Sequence, residues 1–392
     1  MVEVRCVEDT QGLRALEPQW NALLGRSDSD SVFMTWEWVW TFWEVYGARY
    51  RPLVLVASEA GRVVGIAPLM VGRGSGRLTR SLRYLMFIGQ NEDVTPEYLD
   101  FFIERGREEE VAEALCLALV GEQRGAWDLV RLERVLRSSP NLGTICAVLQ
   151  HHGVPLERTA AIDCPYATLP GSWERYLAGR SKHFRKRVGY NLRRLEREGP
   201  LALLHVETDV SLDEAYEELV RLNRERWGEA GESFQSERYV AFHRRACERL
   251  LRRGWLLMVL LKVGERVGAA KYDYVYGGKV WGNQGGWLRE YEKHEIGNVL
   301  LGMLIEHGIE QGCKEYDFLG GEADYKRRWG DGARVMDDYA AWNTTARARA
   351  FRAGQRGRDW LASRAAPWVR VHVPERWLER VDRARRLLGR NG

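Results

Sequence analysis

A sixteen-residue stretch from Glu315 to Gly330 carries the side chains best suited to chemistry. It begins with the pattern of a buried strand and then turns at Gly320 and Gly321, where a residue with a β-carbon would be strained. Acid, phenol and ammonium groups follow the turn. Such groups, crowded beyond a strand end, can move protons and stabilise a developing negative charge. The candidate catalytic residues are Lys326, Tyr325, Glu322, Asp317 and Asp324.

Each of these groups also has a structural interpretation. The stretch suits a solvated loop that Trp329 anchors to the core, with Asp317 capping a strand end and Glu322 in a solvent-facing turn. His183 and His294 are interpreted as structural or surface groups rather than as a catalytic base. Because no acid stands at metal-ligand spacing from either histidine, the sequence predicts no bound metal.

Composition limits the classes of protein to consider. The chain has 392 residues, 45% of them apolar, and this length predicts two or three domains. Its six cysteines are scattered without a C-x-x-C pair, which fits a reducing compartment. The first residues lack the pattern of a secretory signal, and no apolar run approaches the roughly 18 residues of a spanning helix. We therefore expect a cytoplasmic protein.

Helices and strands must position the candidate residues. In the first half, strands are predicted over 53–57, 63–70, 84–88, 98–103 and 127–132, and helices over 12–24, 33–46, 108–120 and 142–150. In the second half, Ser172 and Ser181 are predicted to cap helices, and further helices are expected over 212–227, 234–252 and 296–311. Strands are expected there over 255–263, 267–276, 280–287 and 338–342.

The two halves repeat one design. Leu55-Val56-Ala57, then Gly61, then Val64-Gly65-Ile66-Ala67 corresponds to Met258-Val259-Leu260, then Gly264, then Val267-Gly268-Ala269-Ala270, at a constant offset of 203 residues. Upstream, Phe33 and Phe234 each open a helix before the hairpin. The repeat predicts two α/β domains, each a mixed, largely antiparallel sheet flanked by helices.

Positive charge is concentrated in two segments, although the net charge is only +4. The helix predicted from Ser181 through Glu198 contains seven lysines and arginines, and residues 346–392 carry thirteen arginines against four acids. Both segments predict a local anionic contact, with tRNA or with an anionic membrane surface at its cytoplasmic face. The alternatives are that the helix only faces water and that the tail packs on the body.

This design, with Gly-x-x-Val-Gly between the hairpin strands, resembles the GNAT acyltransferase fold. The fuller pattern is similar to the CelD/BcsL-type, BioF2-like acetyltransferases, which are related to the Fem-type aminoacyl-tRNA transferases and carry tandem GNAT units. The resemblance covers about residues 10–345. It is carried by Phe33 with Trp38, the segment Gly61–Leu69, the basic helix, Arg226-Trp227-Gly228, Gly297 with Leu300-Leu301, and the segment Asp317–Gly330.

The resemblance implies a domain division and roles for residues. Residues 1–160 would form a diverged GNAT-like domain, residues 161–345 the catalytic one with the basic helix 181–198, and residues 346–392 a basic helical tail. Lys326 would stabilise the donor carbonyl or a phosphate, and Tyr325 would orient the donor or protonate the leaving group. One acid among Glu322, Asp317 and Asp324 would accept the proton of the amine.

The expected pyrophosphate loop departs from the usual GNAT pattern, because Tyr291–Asn298 contains one glycine of the usual two. A helix start there can still hold a phosphate through free backbone N–H groups. The predicted contacts to the donor are Lys293, His294, Gly297 and Asn298, with Lys182 and Arg185 on the basic helix.

Three functions fit this sequence. The first is an N-acyltransferase that uses acyl-CoA and acylates an amine of a small molecule or of an envelope or exopolysaccharide precursor. The second is a Fem-type transferase that uses aminoacyl-tRNA, which the incomplete loop and the basic segments favour. The third is a non-catalytic binding protein, which the intact Tyr-Lys-x-x-Trp segment disfavours.

Overall fold

The strands of the chain join into one mixed sheet. The computed structural model describes residues 1–74, 79–228, 233–321, 323–354 and 356. The strands are β1 Glu3–Val7, β2 Arg51–Glu59, β3 Arg62–Arg73, β4 Arg83–Phe87, β5 Phe102–Ile103, β6 Leu129–Leu136, β7 Glu157–Thr168, β8 Leu201–His205, β9 Leu256–Val263, β10 Arg266–Tyr276, β11 Lys279–Trp287, β12 Glu315–Asp317 and β13 Gly332–Trp342. Their spatial order is β1-β2-β3-β4-β6-β13-β7-β12-β11-β10-β9-β8, and β5 pairs with β3.

Helices cover this sheet, and two of them begin at the serine caps that the sequence predicts. They are α1 Thr10–Arg14, α2 Glu17–Leu24, α3 Trp36–Tyr46, α4 Glu108–Val120, α5 Leu142–His151, α6 Trp173–Ala178, α7 Lys182–Glu196, α8 Leu212–Trp227, α9 Glu237–Arg252, α10 Ile296–Glu310 and α11 Asp324–Trp329. The predicted caps are confirmed, because the side chain of Ser172 accepts a hydrogen bond from Arg175 N and that of Ser181 from Phe184 N. No helix among the described residues has the length and apolar character needed to cross a bilayer.

The predicted repeat is confirmed by the order of the elements. In each half a hairpin (β2–β3 or β9–β10) is followed by a third antiparallel strand, a helix and a parallel strand. The corresponding glycines Gly65 and Gly268 both leave room for a helix to pack on the sheet. A β-carbon at Gly65 would collide with Val111 at the start of α4, and one at Gly268 would lie 2.8 Å from Ile296 at the start of α10. Each glycine therefore lets a helix pack directly on the second hairpin strand.

The two halves share their central strands. β13, the last strand of the chain, pairs antiparallel with β6 on one side and with β7 on the other, and β7 in turn pairs with β12. The boundary predicted after residue 160 lies inside β7. The sheet therefore continues across that boundary, and the division into domains stays a prediction.

The tryptophan-rich helix α3 lies where the halves meet. Its side chains pack in one core cluster with residues of both halves, and the ring of Trp38 meets Phe242 of α9 edge-on at 5.0 Å. Phe33, in the short turn before α3, packs in the same way against Trp38 and Trp281. Burial therefore accounts for this aromatic stripe, and it forms one wall of the cleft between the halves.

The extents of several predicted elements are wrong, among them those of one helix and two strands. The helix expected over 12–24 is divided into α1 and α2, with Pro18 in the first turn of α2, where its missing N–H has no cost. The strand expected over 98–103 is reduced to β5, and Tyr98 adopts a left-handed backbone (φ 58°), which excludes it from a strand. β13 starts six residues earlier than the predicted strand at residue 338. Residues 346–354 are helical, and most of the predicted basic tail lies outside the described residues.

Candidate functional site

Two neighbouring strands of the second half separate and open a cavity. β11 and β12 pair in parallel only where Lys279–Trp281 faces Glu315–Asp317, while β11 continues to Trp287. Beyond this pairing lies a cavity of about 440 Å³, called here the α10 cavity. Its lining includes Arg226, Lys271, Gly282, Asn283, Trp287, Glu292, Glu295, Gly297, Asn298, Tyr316, Phe318, Asp324, Tyr325 and Arg328. The cavity is therefore formed by β11, the end of β12, the start of α10 and α11.

A carboxylate already occupies the start of α10. Glu295 has a left-handed backbone (φ 53°) and forms an ion pair with Arg187 of α7. Its Oε2 also accepts hydrogen bonds from Asn191 Nδ2 at 2.9 Å and Asn298 Nδ2 at 3.0 Å. Burial alone would raise the pKa of Glu295, but Arg187, Asn298 and Asn191 together lower it below its ordinary value, so the group stays ionised. Because this negative charge lies at the positive helix end, a phosphate there would meet repulsion.

Arg226 supplies positive charge inside the α10 cavity. Its guanidinium lies 3.3 Å from the ring centroid of Trp287 and 4.1 Å from that of Trp227. Burial lowers the pKa of Arg226 to about 10, which still leaves it charged at neutral pH. None of the carboxylates that the structure describes forms an ion pair with it. A stacked, unpaired guanidinium of this kind suits a phosphate or carboxylate of a ligand.

The structure brings only some of the predicted donor contacts together. Gly297 and Asn298 line the α10 cavity. His294 is buried, with Nε2 3.2 Å from Glu198 Oε1. The exposed residues Lys293, Lys182 and Arg185 are not part of this lining. Their role as donor contacts stays a prediction.

Lys326 lies at a second cavity, beside the glycine turn. Its Nζ donates hydrogen bonds to the carbonyl oxygens of Leu319 at 3.1 Å and Gly320 at 2.5 Å. Leu319 has a left-handed backbone (φ 58°), an uncommon conformation for this residue type and one that is often found at functional sites. Burial lowers the pKa of Lys326. An ammonium group has three N–H donors, so one is left for a ligand.

This second cavity, called here the Lys326 cavity, has a volume of about 250 Å³ and lies between the halves. It is lined by Phe33, Trp38, Asp93–Glu97, Tyr239, His243, Gly282–Gln284, Phe318–Gly320, Tyr325 and Lys326. Tyr325 and Asn283 line both cavities. The two cavities therefore meet at these side chains.

The predicted acids do not gather at one point. Asp317 is fully buried, and its oxygens accept hydrogen bonds from Tyr98 Oη at 2.7 Å and Leu319 N at 2.8 Å. Asp324 is exposed and lines the α10 cavity. Glu322 lies outside the described residues. Asp317 has the contacts of the strand-end cap that the sequence offered as an alternative.

Glu97, from the first half, was not among the predicted site residues. It lines the Lys326 cavity, and its Oε2 accepts a 2.7 Å hydrogen bond from Gly320 N. Burial raises the pKa of Glu97 to about 7. One signal was present in the sequence, because Glu97 belongs to an acidic segment, Asn91–Glu97, between two predicted strands. Nothing in the local pattern places that segment against Gly320.

A buried polar network fixes the wall between the cavities. Asp273 is fully buried, and its Oδ1 accepts hydrogen bonds from Lys271 Nζ at 2.6 Å and Asn283 N at 2.9 Å. The Tyr316 hydroxyl donates to the other oxygen of Asp273. The Asn283 side chain donates to the Tyr274 hydroxyl at 2.6 Å. Asn283 is therefore held firmly at the junction of the cavities. No group of three or more potential metal ligands occurs in the described part of the chain.

Comparison with known proteins agrees with this fold. Residues 182–327 match the family model of the acetyltransferase (GNAT) domain. FemX has a similar structure, with a TM-score of 0.58 and 10% identity, over 83% of this chain and 95% of FemX. The C-terminal domain of a protein from Agrobacterium fabrum, assigned as a lysylphosphatidylglycerol synthetase, gives a TM-score of 0.50 and 12% identity, over 86% of this chain and 93% of that domain.

No curated protein matches the chain. The family match includes the second-half residues that line both cavities, apart from Arg328. The repeat of hairpin, strand, helix and strand extends the same fold to the first half. Residues 182–327 are therefore an acetyltransferase (GNAT) domain, in a chain whose overall fold is similar to that of FemX.

Proposed function

We propose that this protein is an N-acyltransferase that transfers an acyl group from acyl-CoA to an amine. The acceptor would be a small molecule or an envelope or exopolysaccharide precursor. The observation that carries the proposal is the meeting of two cavities at Tyr325 and Asn283. A transfer between two substrates needs two sites whose reacting atoms come together.

The donor belongs in the α10 cavity. The gap between β11 and β12 admits an extended chain, and Arg226 offers a charged partner for its phosphates. Glu295 makes the start of α10 unfavourable for the pyrophosphate, so the phosphates would be held by side chains rather than by the helix start. The acyl carbonyl would then lie near Tyr325, where the cavities meet.

The acceptor amine belongs in the Lys326 cavity. Attack of its nitrogen on the donor carbonyl places negative charge on the carbonyl oxygen, which the free N–H of Lys326 can stabilise. The Tyr325 hydroxyl can give a proton to the departing sulfur. Both roles agree with those that the resemblance implied.

Transfer from aminoacyl-tRNA is the second candidate, and the surface of α7 favours it. The exposed cations of this helix and of the residue that caps its C-terminus are Lys182, Arg185, Lys186, Arg187, Arg193 and Arg197. Clustered cations of this kind bind a nucleic-acid backbone through its phosphates, and they bind an anionic membrane surface as well. Such a contact with tRNA, or with the inner face of a membrane, stays a prediction.

Thermal-shift titrations distinguish the functions. We expect CoA and acetyl-CoA to raise the melting temperature of the wild type, Arg226→Gln to reduce that shift, and Arg5→Gln, an exposed change on β1, to leave it intact. A response to aminoacyl-tRNA but not to CoA would support the second function. A protein that responds to no donor would contradict both and indicate a binding protein.

A further inference from the structure

Glu97 is held in the Lys326 cavity because the residues before it and after it in the sequence are themselves fixed by hydrogen bonds. The Asn91 side chain accepts hydrogen bonds from Asp93 N at 2.9 Å and Val94 N at 2.6 Å, which fixes the start of the loop. Just after Glu97, the Tyr98 hydroxyl bonds to Asp317. The carboxylate itself accepts from Gly320 N. The loop therefore delivers one acid of the first half to the glycine turn of the second.

The charged and titratable groups around Glu97 leave it able to exchange a proton. Those facing it are Lys326, Asp317, Arg134, Tyr98 and Cys164, and those sharing its cavity are Asp93, Tyr239, His243 and Tyr325. Burial raises the pKa values of Tyr98 and Cys164 above their ordinary range and lowers that of His243 to about 3, so all three are neutral at pH 7. Burial, together with the charge of Asp317, raises the pKa of Glu97 to about 7, against the opposing effects of Gly320 N and Lys326.

Other acids are less well placed for the same task. Asp317 is fully buried, and both its oxygens already accept hydrogen bonds. Asp324 lines the other cavity, where the donor is proposed to bind. Asp93 shares the Lys326 cavity but is exposed to solvent. Among the acids that the structure describes, Glu97 combines cavity lining with a fixed position beside Lys326.

We propose that Glu97 of the first half accepts the proton of the acceptor amine in a reaction that the second half otherwise performs. The inference rests on the proposed acyl transfer. The acceptor ammonium gives one proton to the Glu97 carboxylate, and its nitrogen then forms a C–N bond with the donor carbonyl carbon. The C–S bond of the thioester breaks, the Tyr325 hydroxyl gives its proton to the departing sulfur and regains one from the nitrogen, and Glu97 returns its proton to water.

This assignment gives the first half a chemical role. A proton acceptor works best when its pKa lies near the working pH, and a carboxylate in water is far too acidic for that. The cleft between the halves removes water from Glu97, and the second half supplies Gly320 N to hold it in place. Neither half alone would contain the complete site.

The experiment measures CoA release from acetyl-CoA with a panel of amines, in the wild type, Glu97→Gln, Glu97→Asp and the exposed control Glu113→Gln. We expect the wild-type kcat/KM to rise with pH and level off above about pH 7. Glu97→Gln should lower kcat by about 10²–10⁴-fold and flatten this rise, while the KM for acetyl-CoA stays unchanged. Glu97→Asp should restore part of the rate.

A second kind of acceptor amine distinguishes a loss of proton transfer in Glu97→Gln from a loss caused by a damaged structure. An aromatic amine is already a neutral free base at neutral pH and has no ammonium proton to lose before it attacks, so Glu97→Gln should acylate it at a rate close to that of the wild type. Equal losses with both kinds of amine would overturn the proposal and indicate a structural role. Loss of the pH-dependent rise in Asp93→Asn instead of Glu97→Gln would also overturn it. A wild type that transfers to no amine would contradict the proposed function and this inference together.

Discussion

The hydroxyl of Tyr98 donates a 2.7 Å hydrogen bond to Oδ2 of Asp317 and so joins a loop of the first half to the end of β12 in the second. Both residues are buried. The backbone is left-handed at Tyr98 and at Leu319, two residues after Asp317. Two uncommon backbone conformations are thus stabilised by one pair of side chains, next to the segments that carry Glu97 and Lys326.

Tyr98→Phe should destabilise the protein without changing its fold. The substitution removes one hydroxyl and leaves Asp317 Oδ2 with the longer contact to Arg334, at 3.4 Å. A buried acceptor that loses its partner costs about 1–3 kcal/mol, so the free energy of unfolding in urea should fall by that amount. Tyr190→Phe, at an exposed position of α7, should have little effect. Equal stability of Tyr98→Phe and wild type would show that the bond contributes nothing.

Asp317 should make stability depend on pH. Burial raises its pKa from 3.8 to about 6, although Tyr98 Oη, Leu319 N and Arg334 oppose the shift. Between pH 3.8 and about 6 the unfolded chain loses the Asp317 proton, whereas the folded chain keeps it. The contribution of Asp317 to the free energy of unfolding is therefore fully present below pH 3.8 and is lost as pH rises through about 6.

Asp317→Asn cannot titrate, so its free energy of unfolding should fall less than that of the wild type between pH 4 and 6. Urea unfolding at several pH values measures this difference. Asp163→Asn, an exposed change on β7, serves as the control and should follow the wild type. Parallel curves for Asp317→Asn and wild type would refute the assignment.

The elements that the sequence predicted well are those whose signals are local. α4 and α8 have the predicted bounds, because an amphipathic pattern and an N-terminal signal lie within one segment. The position of β13 between β6 and β7 depends on pairing between residues about two hundred positions apart. β7 and β8 were missed, and the first half of β7 shows the difficulty, because its residues are mostly exposed and do not alternate.

The same distinction holds for the site. Lys326 and Tyr325 were found because acid, phenol and ammonium groups follow a glycine turn within one stretch, and both line the Lys326 cavity. Glu97 comes from more than two hundred residues upstream. Arg226 was noted only as part of the family pattern, because nothing in its own segment indicates the stack on Trp287. Sequence reasoning therefore finds the residues that share a segment with the turn and misses those that the fold brings to it.

Lys326→Met should abolish most turnover in a protein that stays folded. Loss of one donor to a developing oxyanion lowers kcat by about 10²–10³-fold. Lys326→Arg should not restore the rate, because a planar guanidinium cannot replace an ammonium that bonds two carbonyl oxygens at once. Circular dichroism checks the fold, and the exposed Lys314→Met is the control. Wild-type turnover in Lys326→Met would exclude this role for the lysine.

Gly297→Ala should weaken donor binding through Trp287. A β-carbon at Gly297 would lie 2.8 Å from the Trp287 ring, so the ring must move, and Arg226 stacks on that ring. In a helix, replacing glycine by alanine ordinarily stabilises by about 0.5–1 kcal/mol. A fall in the melting temperature would therefore show that the clash outweighs helix propensity.

The matched control for that change is Gly189→Ala in the middle of α7, where a β-carbon would meet only the flexible end of Arg193. This variant should be as stable as the wild type or more so, because helix propensity acts there without a clash. Gly297→Ala should also raise the Kd for CoA in calorimetric titrations, since the displaced ring no longer positions Arg226. Unchanged affinity together with a lowered melting temperature would mean that Gly297 serves packing alone, and the phosphate contact of Arg226 would then have to be independent of Trp287.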